Sequence, residues 1–167
     1  MATDLYDLTV PVFIRNFANL SAILAKGEAF AGEKGIAPET LLNARLIEDM
    51  APLTRQVQIA SDTAKLCAAR LAAIDAPVMP DEEASFAELQ ARIDQTTAFL
   101  KSVPRDAVTG KEAAPITLTF PNGSMDFVGI DYVLGFALPN FFFHVTTAYA
   151  LLRAKGVQIG KRDFLGG

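Results

Sequence analysis

The chain has 167 residues, 51% hydrophobic and 20% charged, with a formal net charge of −4. That is enough for one domain, 1–167, which buries roughly 70% of its unfolded surface and needs no disulfide or metal to hold a core. Mild acidity without a basic stripe excludes a nucleic-acid backbone as partner, and the single cysteine, Cys67, excludes an intrachain disulfide.

The first helix is expected over 4–31. Tyr6, Val10, Phe13, Phe17, Leu20 and Leu24 step by fours and threes, a spacing that keeps them on one face. Pro11 bends this helix or marks its effective start, because it has no N–H to donate, and Gly32 and Gly35 end it. A second helical segment spans 38–74, with Leu46, Met50, Leu53, Val57, Ala60, Ala64, Cys67, Leu71 and Ile74 as its seam; Pro52 kinks or divides it. Cys67 on that seam reads as a buried, inert thiol. Ile59 and Leu66 fall on the opposite side, so this helix is either central or in contact with a partner helix.

Asp75, Pro77 and Pro80 break the chain. The acids Asp81, Glu82 and Glu83 read as favourable charge ahead of a third helix. That helix opens on a capping box, Ser85 with Glu88. It buries Phe86, Leu89, Ile93, Leu100 and Val103, and stops at Pro104.

The period then changes. Ile116, Leu118 and Phe120 alternate with Thr117 and Thr119, and Met125-Asp126-Phe127 follows Asn122-Gly123. An Asn-Gly pair between alternating runs predicts a hairpin over 116–128, with both turn residues at positive φ.

The fourth helix is expected over 130–155, bent at Pro139 and stopped by Gly156. Leu134, Phe136, Leu138, Phe141, Phe142, Phe143 and Val145 make it apolar nearly all round, the pattern of a helix surrounded by others. Gly135, Pro139, Asn140, His144, Thr146 and Thr147 interrupt the apolar run, which suits a core helix better than a membrane span. The N-terminus shows no basic-then-apolar leader, so a cytoplasmic location and no membrane contact are expected. The tail, 157–167, with Lys161-Arg162, is expected to strap the end of the bundle.

His144 is the only histidine. The stripe Ile130, Leu134, Ala137, Phe141, His144, Ala148, Leu151 aims it along an inner face, with Asn140 one turn earlier on nearly the same side. A buried imidazole needs partners for both nitrogens, so this pair reads as a core histidine hydrogen-bonded inside the bundle, as the edge of a small-molecule pocket, or as a metal or catalytic site. One histidine supplies no two- or three-histidine metal set. No Gly-x-Ser-x-Gly turn and no glycine-rich phosphate loop are present.

Three strings resemble a bacterial family of unknown function within the DinB/YfiT-like metalloenzyme superfamily. They are Leu42-Asn43-Ala44-Arg45-Leu46 through Gln56-Val57-Gln58-Ile59-Ala60, Ala137-Leu138-Pro139-Asn140-Phe141-Phe142-Phe143-His144-Val145-Thr146-Thr147-Ala148-Tyr149, and Gly160-Lys161-Arg162-Asp163-Phe164-Leu165-Gly166. The resemblance covers essentially the whole chain. It implies a DinB-like four-helix bundle, commonly dimeric. Members of the wider superfamily hold a divalent metal through three histidines, two of them spaced HxxxH on the last long helix, and some are thiol-dependent transferases or isomerases. His144 matches the second histidine of that pair and Asn140 stands where the first would be. Gln56 or Gln58 lies where the remaining ligand would sit.

The expected fold is therefore mainly all-α, a four-helix bundle with a small β-hairpin between the third and fourth helices. His144, Asn140, Gln56, Gln58 and Tyr149 are the pocket candidates, with no metal and no cofactor. The expected function is a non-catalytic or degenerate bundle, a homodimer, that binds a small molecule or a partner. The alternatives are a metal-dependent transferase or isomerase, an enzyme using His144 as a metal-free acid–base group, and a purely structural dimerisation module.

Overall fold

The apolar stripes read above become the walls of a four-helix bundle in the computed structural model, which describes residues 3–167. A short α1 (Leu5–Leu8) leads into α2 (Val10–Lys34), followed by α3 (Pro38–Leu42), α4 (Leu53–Ala72), α5 (Phe86–Ser102) and α6 (Arg105–Val108). The hairpin β1 (Pro115–Phe120) and β2 (Gly123–Val128) precedes α7 (Gly129–Tyr132), a π-helical turn at Val133–Ala137, α8 (Leu138–Ala154) and α9 (Lys161–Leu165). Around the bundle the long helices neighbour one another in the order α2, α5, α4, α8, and the α4–α8 seam is the most extensive.

Phe13, Phe17, Leu20 and Leu24 of α2 are fully buried, as their spacing requires. Pro11 sits in the first turn of α2, where its missing N–H costs nothing. Asp4 caps α1 through Asp7 N–H at 3.0 Å. Gly35, not Gly32, ends α2, at φ +62°. The stretch Leu5–Lys34 is long and apolar enough to cross a membrane. Its apolar stripe, however, is inside the bundle.

The second segment differs from its expected form. Pro52 divides it, and the chain between α3 and α4 is irregular. Leu46 is 47% exposed and Ile74 45% exposed. Both lie outside α4, so the helical spacing that placed them on its seam does not apply. The expected seam within α4 (Leu53, Val57, Ala60, Ala64, Cys67 and Leu71) is buried throughout.

The capping box forms. Ser85 Oγ accepts from Glu88 N–H at 3.2 Å, and the Glu88 carboxylate accepts from Ser85 Oγ and Ala84 N–H, both at 2.8 Å. The acids ahead of it do more than face a helix end: Asp81 and Glu83 both pair with Arg92 of α5.

The hairpin packs Ile116 and Leu118 on the bundle and turns β2 outward. Phe120 pairs with Gly123 in the register, so Pro121-Asn122 is the two-residue turn, not Asn122-Gly123. Pro121 at the first central position excludes the type I′ turn, because its ring holds φ near −65°. Gly123 is still required, as the first residue of β2 at φ +147°. Gly123→Val should therefore weaken the hairpin. We expect a loss of about 1–2 kcal/mol in chemical denaturation, from the cost of holding a β-branched residue at positive φ. An unchanged midpoint would mean that this φ relaxes freely.

The last long helix is continuous through Pro139 because of the π turn before it. Leu138 N–H donates to Val133 C=O, five residues back. This inserts one residue into the helix just where the proline ring would strike the preceding turn. The insertion also rotates the upstream side chains. Val133 is buried while Leu134 is 51% exposed, the reverse of the regular stripe. Phe143 is 54% exposed as well, so the helix is not enclosed on every side. The tail packs along the side of α2 rather than over the end of the bundle: Asn19 donates to Phe164 C=O at 3.0 Å and Lys26 pairs with Asp163.

Candidate functional site

Helices α4 and α8 run antiparallel, and two polar pairs bridge them. His144 Nδ1 lies 2.6 Å from Gln56 Oε1, and Asn140 Nδ2 donates to Thr63 Oγ1 at 2.7 Å. Asn140 thus does not serve His144. Its partner hydroxyl donates in turn to Ile59 C=O at 2.7 Å.

Gln56, 1% exposed, sets the state of the imidazole. Its Nε2 donates to Ala51 C=O at 2.9 Å, and a carbonyl can only accept. The carboxamide oxygen therefore faces His144, which makes Nδ1 the protonated nitrogen. Nε2 keeps a lone pair with no partner among the described residues. Burial, and secondarily the Arg55 charge, hold the His144 pKa below the ordinary 6.5.

This is measurable. Nitrogen-15 NMR should show Nδ1–H as the neutral tautomer, with a pKa below 6.5; an Nε2–H tautomer or a raised pKa would contradict the geometry. Between the folded pKa and 6.5 the unfolded chain binds more protons, so stability contributed by this group is complete above 6.5 and is lost as pH falls toward the folded value.

The other two candidates lie elsewhere. Gln58 donates to Glu83 at 2.8 Å and accepts from Arg55 at 3.2 Å, facing the loop before α5. Tyr149 stacks edge-on against Phe164 of α9 at 6.0 Å.

A cleft of about 230 Å³ opens beside the Asn140–Thr63 pair, between α4, the hairpin and the π turn; Gln56 and His144 do not line it. Ile59, Thr63, Leu66 and Arg70 line it from α4, with Tyr132, Phe136 and Asn140 opposite. Ile59 and Leu66 thus line the cleft that faces the hairpin. Arg70 Nη1 donates to Tyr132 OH at 3.0 Å, with the guanidinium 5.9 Å from the ring centroid. Tyr132 is 1% exposed, and burial pushes its hydroxyl up to about 12. Cys67 is fully buried and its thiol is likewise pushed up to about 12, which suits an inert sulfur.

Sequence reasoning passed over Thr63, Arg70 and Tyr132. The signal was present: Gln56, Ile59, Thr63, Leu66 and Arg70 step by threes and fours along one face of α4. Only the apolar members of that face stood out.

A three-histidine metal site does not fit these residues. The single imidazole gives one nitrogen to Gln56, the Gln56 and Asn140 amides are committed to neighbours, and carboxamides are poor zinc ligands. Among the described residues no three His, Cys, Asp or Glu side chains converge on a metal position.

Comparison with known proteins agrees with the fold. Residues 5–165 match the family described as a domain of unknown function, DUF1993. A crystal structure of a DinB family member protein from Shewanella denitrificans is similar, with a TM-score of 0.90 and 42% identity over 98% of this chain and 92% of that one. No curated protein matches. The match spans the bundle, the hairpin and the C-terminal strap together, and the chain belongs to the DUF1993 family, with a DinB-like fold.

Proposed function

We propose that the chain is a small-molecule-binding bundle, a DinB-like scaffold whose former metal face has become a polar, metal-free pocket. The observation that carries this is the cleft beside the Asn140–Thr63 pair. Hydrogen-bonding groups converge there from separate elements (Thr63 and Arg70 of α4, Tyr132 of α7, Asn140 of α8) over an apolar floor. Concave apolar surface with a few fixed polar groups is the common form of a ligand site. His144 lies one turn beyond Asn140, with Arg55 shared between it and the cleft.

A fragment screen read by thermal shift and by NMR tests the reading. Fragments should raise Tm and perturb Asn140 and Phe136, and Leu66→Trp, which fills the cleft, should abolish both effects without loss of helical dichroism. No responding fragment, or responses unchanged in Leu66→Trp, would refute it. Stoichiometric zinc or nickel in protein purified without added metal, lost in His144→Phe, would favour the metalloenzyme instead.

A further inference from the structure

We propose that the cleft takes a small organic molecule bearing a single carboxylate, received by the Arg70 guanidinium beside the Tyr132 hydroxyl, with its apolar part against Leu66, Leu118 and Phe136. This rests on the cleft being the binding site and specifies what it binds.

Charge is the first argument. The cleft wall and the ion network behind it hold four cations, Arg55, Lys65, Arg70 and Arg92, and three carboxylates, Asp62, Asp81 and Glu83. Arg55 pairs with Asp81, Lys65 with Asp62, and Arg92 with all three acids. Arg70 pairs with no carboxylate among the described residues. A chain of net charge −4 thus keeps one uncompensated positive charge in this cleft.

Geometry is the second. One end of the fork is fixed: Nη1 donates to a phenol that is itself buried. The remaining guanidinium N–H groups have no hydrogen-bond partner among the described residues. A planar, pre-positioned fork with free donors matches a planar carboxylate, and fixing it beforehand lowers the entropy lost on binding. Tyr132 stays protonated at neutral pH, so it adds no negative charge to compete with the ligand.

The rest of the lining sets the class. Arg70 is the one unpaired cation of the cleft among the described residues and Asp62 also borders it, so the second charge of a dianionic phosphate would find no cation to meet it, whereas a monoanion is matched one to one. Ile59, Leu66, Leu118 and Phe136 give the remainder an apolar wall. The volume of about 230 Å³ is below the roughly 300–1,000 Å³ of drug-sized sites, which limits the ligand to a compact body such as one ring.

The experiment uses the full chain and three probes: benzoate, its neutral isostere benzamide, and inorganic phosphate. Titration followed by NMR should show benzoate perturbing the cleft resonances with an affinity about tenfold above benzamide, the size of one charge-assisted hydrogen-bonded pair. Arg70→Met should bring benzoate down to the benzamide level and leave benzamide unchanged. Tyr132→Phe, which keeps the packed ring but frees the Arg70 fork, is the second test where Arg70→Met folds poorly: it should weaken benzoate and leave benzamide unchanged, and equal losses for both would overturn the assignment. Equal binding of benzoate and benzamide at the cleft would overturn the carboxylate assignment while leaving the cleft as a binding site. Phosphate binding more tightly than benzoate would overturn it too. If none of the three perturbs the cleft and a neutral fragment from the screen does, the carboxylate assignment alone falls; if nothing does, both readings fall.

Discussion

Arg92→Met should destabilise the protein by about 3 kcal/mol, the lower end of the range for breaking a buried ion pair by removing one partner. The Arg92 side chain is 1% exposed. Its Nη2 lies 2.9 Å from Asp62 and 3.0 Å from Asp81, and its Nη1 lies 2.9 Å from Glu83 and 3.1 Å from Pro80 C=O. Lys65, also buried, shares the same Asp62 oxygen, Oδ1, at 2.9 Å. Nε alone has no partner. Methionine fills much of the same volume, so the loss comes from the three carboxylates left facing each other. They are partly exposed, which keeps the effect near the lower end of the range.

The same substitution should free the loop 75–84, which Arg92 ties to α4 and α5, and limited proteolysis should then cut there first. Arg55→Met is the control. Its pair with Asp81 is exposed on both sides, and such pairs contribute at most about 1 kcal/mol. Equal midpoints for Arg92→Met and wild type in urea would show that the network is idle.

Regular periodicity made most of the bundle readable. Phe13 and Phe17 on α2, Val57 and Cys67 on α4, and Leu89 and Ile93 on α5 are buried because each helix is regular where they stand. Reading failed where the backbone departs from its period. Leu46 and Ile74 fit the α4 spacing only when it is extended beyond the ends of the helix. Leu134 fits the stripe only across a π turn that local composition does not announce. Arg92 sits next to Ile93 on the buried face of α5, and a polar residue there looks like a stripe boundary until the acids of a distant loop are placed around it.

Gly129 shows a similar blindness. A Cβ there would lie 2.1 Å from Lys111 C=O, because residues 111–114 cross it on the way into the hairpin, and no local pattern records a crossing.

The site was half legible for the same reason. His144 and Gln56 do meet, and Asn140 does face α4, since helical spacing orients them. Partner choice was not readable. Whether Asn140 reaches His144 or Thr63 depends on the offset between two antiparallel helices, which packing along the whole α4–α8 seam sets.

Phe141 carries the largest single effect expected in the core. It is fully buried and lies edge-on to Phe13 at 4.7 Å, Phe17 at 5.2 Å and Phe142 at 5.5 Å. Phe141→Ala removes most of a ring from a close-packed α2–α8 seam whose other side chains cannot all move in, and should cost about 3–5 kcal/mol. Phe143→Ala, two residues on but 54% exposed, should cost less than about 1 kcal/mol. A double-mutant cycle with Phe13→Leu should show a coupling of about 0.5–1.5 kcal/mol beyond the lost area, the size of an edge-to-face aromatic pair.

Because Asn140 and His144 flank Phe141 on the same two turns, the truncation should also loosen the bridges to Thr63 and Gln56. In the folded variant, nitrogen-15 spectra should show the His144 ring shifting toward a mixture of tautomers. A Phe141→Ala protein with wild-type stability and an unaltered imidazole spectrum would mean that the seam closes over the gap and that the helix offset is held elsewhere.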